Sequence, residues 1–198
     1  MFVTLEGVDW SGKSTQAKLL AEWLEEQGRL VLTTREPGGT PVAERVRELV
    51  LHGDEMSPWA EAALYAAARA ENVAAVIRPA LERGADVVCD RYLDSSVAYQ
   101  GAGRGLGEER VRELSLLVTG ALLPDRTFVV DLDPDEALRR ADSNHDRIER
   151  AGSEFMRRVA AGYRALAEAE PDRVVIVDGD RSRTEIAEEI REHVRSLL

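Results

Sequence analysis

Residues Gly7-Val8-Asp9-Trp10-Ser11-Gly12-Lys13-Ser14-Thr15 satisfy the spacing G-x-x-x-x-G-K-[ST]. A stretch of this kind is suited to holding a polyphosphate. Its glycines let successive backbone N–H groups converge on one anion, and a following helix adds the positive end of its dipole. Lys13 then reaches the outer phosphates, and Ser14 is placed to ligate Mg²⁺. Lys13 and Lys18 are the lysines among 26 basic residues, so a lysine at the one position the pattern demands is informative. A second candidate is Asp90, which ends an apolar run and is followed by Arg91. An acid there suits the shell of a nucleotide-bound Mg²⁺, while the neighbouring guanidinium can take two oxygens of a second phosphate. His52, His145 and His193 form no recognisable base arrangement.

These residues need a scaffold that brings strand ends together. Phe2-Val3-Thr4-Leu5 before the glycine loop reads as a buried strand, and the residues from Gln16 to Leu24 after it have helical spacing. Further strands are expected at 30–34, 86–90, 126–133 and 173–177. Helical patterns lie between them, near 41–51, 58–81, 108–117, 134–141 and 153–169, and a last one closes the chain near 184–196. Ser57-Pro58 opens the longest of these as cap and first helical residue, and Pro79 marks a kink point. Alternation of this kind specifies an α/β fold, a five-stranded parallel sheet with helices on both faces, in one domain over residues 1–198. Glycines 101, 103, 105 and 107 read as a flexible connection. Residues 139–150 hold Ile148 as their one sizeable apolar residue, so they read as a mobile, solvated segment.

A net charge of −11 argues against broad contact with a nucleic-acid backbone, so an anionic ligand must be met by local arginines. No apolar run reaches the length of a membrane span. Cys89 is the one cysteine, which excludes an internal disulfide. With no signal segment before the first strand, the expected setting is the cytoplasm.

Six stretches in order extend the picture: Gly7 to Thr15, Arg35-Glu36-Pro37-Gly38-Gly39-Thr40, Tyr65-Ala66-Ala67-Ala68-Arg69, Asp90-Arg91-Tyr92, Ala98-Tyr99-Gln100-Gly101 and Asp146-Arg147-Ile148-Glu149. Together they resemble the thymidylate kinase family over nearly the whole chain. The resemblance implies the P-loop NTPase fold, a homodimer packed through helices, and ATP with Mg²⁺ as donor and cofactor. It also implies dTMP as acceptor. The acceptor is already an anion, so catalysis is positioning plus charge neutralisation.

The same resemblance implies roles. Gly7 to Thr15 would cradle ATP, with Ser14 and Asp90 at the metal. Asp9 would lie by the acceptor sugar and Arg91 would grip its phosphate, with Arg35 or the loop of Glu36 and Pro37 nearby. Tyr65 stands where the family usually has a stacking phenylalanine, and Arg69 would donate to a thymine carbonyl. Ser96, Tyr99 and Gln100 would complete the base and sugar pocket. Residues 139–150 correspond to a lid over ATP. Trp10 and Ser11 offer no arginine in the glycine loop, so the catalytic charge is expected from the lid, from Arg147 first and Arg140 second, with Glu149 ordering the closed state. Two other readings remain at this point: another nucleoside-monophosphate or deoxynucleoside kinase, and a nucleotide-dependent switch or binding module.

Overall fold

The computed structural model describes residues 1–140 and 146–198, so the expectation for 141–145, the middle of the charged segment, lies outside the described residues. Strands β1 (Phe2–Glu6), β2 (Val31–Arg35), β3 (Asp86–Asp90), β4 (Arg126–Asp131) and β5 (Val174–Asp178) form one parallel sheet in the order β2-β3-β1-β4-β5. All five lie within a residue or two of their expected places. The register pairs Leu5 with Asp90 and Arg35 with Asp90, which brings the carboxyl ends of β1, β2 and β3 level. Ligands of open parallel sheets are held at that edge.

The strands read as near-continuous apolar runs, not alternating ones, because the sheet is covered on both faces. Val3, Leu5, Val88 and Phe128 point to one core with α1 (Lys13–Glu26) and the closing helix, numbered α9 (Arg183–Arg195). Phe2, Val87, Cys89 and Val129 point to the other core. That larger face is covered by α2 (Pro41–His52), α3 (Pro58–Asn72), α4 (Arg78–Glu82), α5 (Leu93–Ser96), α6 (Glu108–Thr119) and α8 (Ser153–Ala169), with Ala137 of α7 (Pro134–Arg140) in the same core. Caps hold the helix starts as their sequences suggest. Thr40 accepts from the Ala43 amide and Ser57 from the Ala60 amide, each with proline next in the chain.

Three expectations change. The helix expected over 58–81 is interrupted by a π-helical turn, Val73–Ile77, before α4 resumes. Pro79 lacks an amide hydrogen and its ring crowds the carbonyl one turn earlier, so a widened turn stands where a kink was expected. The glycine-rich stretch is not a flexible connection at its start, because α5 continues into a π-helical turn, Val97–Gly103. Its small residues are there for packing: a Cβ on Gly103 would stand 2.7 Å from the Phe155 ring, and one on Gly162 of α8 would stand 2.9 Å from Ala102. Finally, the segment expected to be solvated is anchored at its far end, since Arg147 and Ile148 are both buried.

The close approach of α8 to residues 97–103 leaves no space for added atoms. Gly162→Val is expected to lower the unfolding free energy by about 1–3 kcal/mol, read by urea denaturation. An unchanged midpoint would mean the two elements are not tightly apposed.

Candidate active site

The glycine loop joins β1 to α1, and its shape depends on two glycines. Gly7 has φ 137°, and a Cβ there would meet the Val130 carbonyl oxygen at 2.5 Å. Gly12, the residue before α1, has φ 94°, a left-handed conformation that side chains disfavour. Trp10 adopts φ 65° at the tip and is partly exposed. Lys13 folds back into the loop, donating to the Val8 carbonyl at 3.3 Å with its ammonium 3.6 Å from Asp9. Burial and the charge of Arg91 lower its pKa, partly offset by Asp9 and Asp90.

Arg91 follows β3 with φ 68° and joins the loop to the next cavity. Its Nη2 bonds Asp9 at 2.5 Å and the Tyr99 hydroxyl at 3.2 Å, while Nη1 donates to the Gly7 carbonyl at 2.9 Å. The Tyr99 hydroxyl donates to the other Asp9 oxygen at 2.9 Å. Burial alone would raise the Asp9 carboxyl, but Arg91 and Lys13 hold it well below the usual carboxylate range. Asp9 therefore remains an anion between two cations at neutral pH.

Beside this junction opens a cleft lined by Asp9, Glu36, Pro37, Tyr65, Arg69, Arg91, Ser96, Tyr99 and Gln100, together with Arg47, Asp146 and Ile148. Residues from all six of the quoted stretches thus meet in one space. Arg69 is buried and fully oriented: it bonds Glu36 at 2.7 Å, Ser115 at 3.1 Å, the Tyr92 carbonyl at 3.0 Å and Ser96 at 3.1 Å. Burial raises the Glu36 carboxyl against the pull of Arg69 and Asn72. Gln100 donates from Nε2 to Glu61 at 3.0 Å. On the loop side, Ser14 donates to Asp90 Oδ2, while Asp90 Oδ1 and Ser11 Oγ are buried without hydrogen-bond partners. Paired oxygen donors with a free buried carboxylate oxygen suit a hard cation such as Mg²⁺. Among the described residues no cluster of three or more His, Cys, Asp or Glu is grouped so as to hold a metal ion by itself.

Other residues stand elsewhere than expected. Arg147 is not at the glycine loop: Nη1 pairs with Glu61 at 2.7 Å, Nε donates to the Val50 carbonyl at 3.0 Å, and its backbone amide bonds Leu51. Its side chain is 2% exposed, and Glu61, which also bonds Gln100 of the cleft lining, holds its guanidinium. Arg140 lies at the carboxyl edge of the sheet, bonded to Glu136, the Gly179 carbonyl and Asp180. Arg35 pairs with Glu44 on the surface and does not line the cleft. The side chain of Glu149 lies outside what the structure describes.

Sequence reasoning missed the layer behind these residues. Glu6 accepts from the Tyr92 amide at 2.7 Å, from Ser95 at 2.5 Å and from Tyr163 at 3.0 Å, and both hydroxyls accept from Arg91. An acid at the end of an apolar strand was the available signal. Arg47, whose Nη1 donates to the Pro37 carbonyl, and Glu61 had none beyond helical position.

Comparison with known proteins gives a consistent result. The sequence model of the family described as Thymidylate kinase matches residues 5–190. A thymidylate kinase of Leifsonia xyli is 58% identical over 196 residues, covering 96% of this chain and 92% of that protein. One from Clavibacter sepedonicus is 52% identical over 202 residues, covering 100% and 96%. A crystal structure of thymidylate kinase from Ehrlichia chaffeensis superposes with a TM-score of 0.82 at 33% identity, covering 98% of both chains.

Glu6 also makes the site sensitive to pH. Burial and the charge of Asp94 push its carboxyl up to about 7, against Ser95, Arg91 and Tyr92. The unfolded chain releases this proton near the ordinary carboxylate value, so the folded state is favoured at low pH and loses that advantage as pH rises through about 7. The stability of the wild type relative to Glu6→Gln should therefore fall by on the order of 1–3 kcal/mol between pH 5 and pH 8 in urea melts. A difference independent of pH would show that Glu6 is ionised throughout.

Proposed function

The chain belongs to the thymidylate kinase family and transfers a phosphoryl group from ATP to dTMP, giving ADP and dTDP, and on that premise we propose how its residues divide the work. The observation that carries the reading is the place of Asp9, bonded to Arg91 on the cleft side and 3.6 Å from Lys13 on the loop side. One carboxylate thus joins a donor site to an acceptor site.

Gly7 to Thr15 hold the ATP phosphates through backbone amides, and Lys13 neutralises charge on the transferring group. Ser14 and Asp90 would hold Mg²⁺, which when bound offsets the negative charge of the donor phosphates. Arg91 binds the dTMP phosphate, whose oxygen is the nucleophile and needs no base at neutral pH. Asp9 keeps that guanidinium in place and faces the sugar. The base lies between Tyr65 and Arg69, and Ser96, Tyr99 and Gln100 close the pocket. Tyr99 is held by Asp9 and Arg91, which fixes its ring against the sugar and leaves no room for a 2′-hydroxyl.

The remaining cation comes from the lid at about 139–150, since the loop has Trp10 and Ser11 where an arginine would stand. With Arg147 held by Glu61, we assign that role to Arg140, which stands part-exposed at the carboxyl edge of the sheet. We further propose a homodimer packed through α2, α3 and α6. Leu49 and Trp59 are exposed there, and Leu117 lies seven residues from Arg110, which stacks on Trp59. A sedimentation mass of one chain would contradict this. Cys89 is buried and unpaired, and no helix among the described residues is long and apolar enough to cross a membrane, in keeping with a cytoplasmic setting.

Coupled ADP-release assays test the assignment. Lys13→Ala should lower kcat by at least ~10²-fold, because charge neutralisation supplies most of the rate enhancement. Arg140→Ala should also lower kcat, whereas Arg147→Ala should act mainly on the KM for dTMP. A kcat loss as large as that of Lys13→Ala in the Arg147 variant would return the catalytic role to Arg147. A turnover of dCMP, AMP or UMP equal to that of dTMP would contradict the base pocket.

A further inference from the structure

Glu61 stands in the first turn of α3, 1% exposed, and none of the quoted stretches contains it. Its two oxygens receive four donors. Oε1 accepts from Gln100 Nε2 at 3.0 Å and Arg104 Nε at 3.1 Å. Oε2 accepts from Arg104 Nη2 at 3.0 Å and Arg147 Nη1 at 2.7 Å. Burial would raise this carboxyl, but Arg104, Gln100 and Arg147 together hold it below the ordinary value. An ionised carboxylate can only accept hydrogen bonds. The side-chain amide of Gln100 must therefore turn its NH₂ toward Glu61, whichever way the amide is drawn. Gln100 is buried and lines the cleft, so with its NH₂ turned to Glu61 its carbonyl oxygen is the acceptor left for a bound base.

We propose that Glu61 is a positioning residue that sets base specificity: by fixing the Gln100 amide, it makes the cleft accept a base with a ring N–H and reject one with a bare ring nitrogen. This rests on the reading that the base of dTMP lies in this cleft. Thymine and uracil carry a donor at N3 and can bond Gln100 Oε1. Cytosine carries an acceptor there, and two acceptors face one another with no proton between them. A buried acceptor left without its partner is costly, so discrimination follows from an arrangement that cannot flip. Arg147 and Arg104 keep the carboxylate charged, which gives the far end of the lid a task at the base pocket.

The test compares kcat/KM for dTMP and dCMP in the wild type, Glu61→Gln, Glu61→Asp and Gln100→Leu. A glutamine at 61 can donate as well as accept, which frees the Gln100 amide to turn. The KM for dTMP should rise ~10-fold with kcat within about threefold, and the dTMP-to-dCMP ratio should fall ~10-fold or more. Glu61→Asp keeps a carboxylate for the two arginines but withdraws it by one methylene from Gln100, and should lower the same ratio if the glutamine variant does not fold. A purely structural role would lower the melting temperature and reduce both substrates alike, leaving the ratio unchanged, and that result overturns the proposal. Gln100→Leu separates the two readings. If it leaves discrimination intact, the base does not lie against Gln100. If it removes discrimination while both Glu61 variants keep it, the cleft reading stands and the role of Glu61 falls.

Discussion

The site depends on one part-buried ion pair, Asp9 with Arg91. Parallel pairing of β1 with β3 brings the residues after each strand side by side, and the left-handed backbone at Arg91 turns its guanidinium into the junction. Such a conformation costs of order 1–3 kcal/mol in a residue other than glycine and persists where surrounding contacts over-determine it. Here those contacts are Asp9, the Gly7 carbonyl, Ser95, Tyr99 and Tyr163. On the proposed assignment, the cation that would receive one phosphate is thus bonded to the loop that would hold the other. Donor and acceptor sites would then be aligned before either ligand binds, which is the main contribution a protein can make to phosphoryl transfer.

The same device recurs around the cleft. Glu36 holds Arg69, Glu61 holds Gln100, and Glu6 holds the hydroxyls of Ser95 and Tyr163 that hold Arg91. Each is a buried acid behind a group that faces the ligand. Burying a charge is costly unless it is paired and fully hydrogen-bonded, and each of these acids has at least two partners. A net charge of −11 is therefore compatible with binding anions: the carboxylates of Asp9 and Glu61, held ionised by the cations around them, serve to fix the cations and dipoles of the site. Tightly held groups exchange adaptability for selectivity, which suits an enzyme that must tell similar monophosphates apart.

Much of this was legible in the sequence where the signal is local. Strand periodicity, the glycine loop and the Asp90-Arg91 pair each lie within a few residues, and the structure places them as read. The lining of the cleft also follows from short stretches, once their order along the chain is recognised. What was not legible depends on distance. Glu6 and Tyr163 are 157 residues apart, and only the packing of α8 on residues 97–103 makes them neighbours. Composition misled in two places. Glycines at 101 and 103 suggested freedom but provide close helix packing, and a charged segment suggested solvent but ends in the buried Arg147 and Ile148. Both errors come from treating local polarity or flexibility as if no partner were waiting in space.

The central claim is that Asp9 and Arg91 act as one unit linking the two phosphate sites. A double-mutant cycle in kcat/KM for dTMP, using Asp9→Asn, Arg91→Gln and the pair together, tests it most directly. The account predicts strong non-additivity, with the double variant little worse than the poorer single one. Losses that simply multiply would show that the two residues contribute independently, and would contradict it.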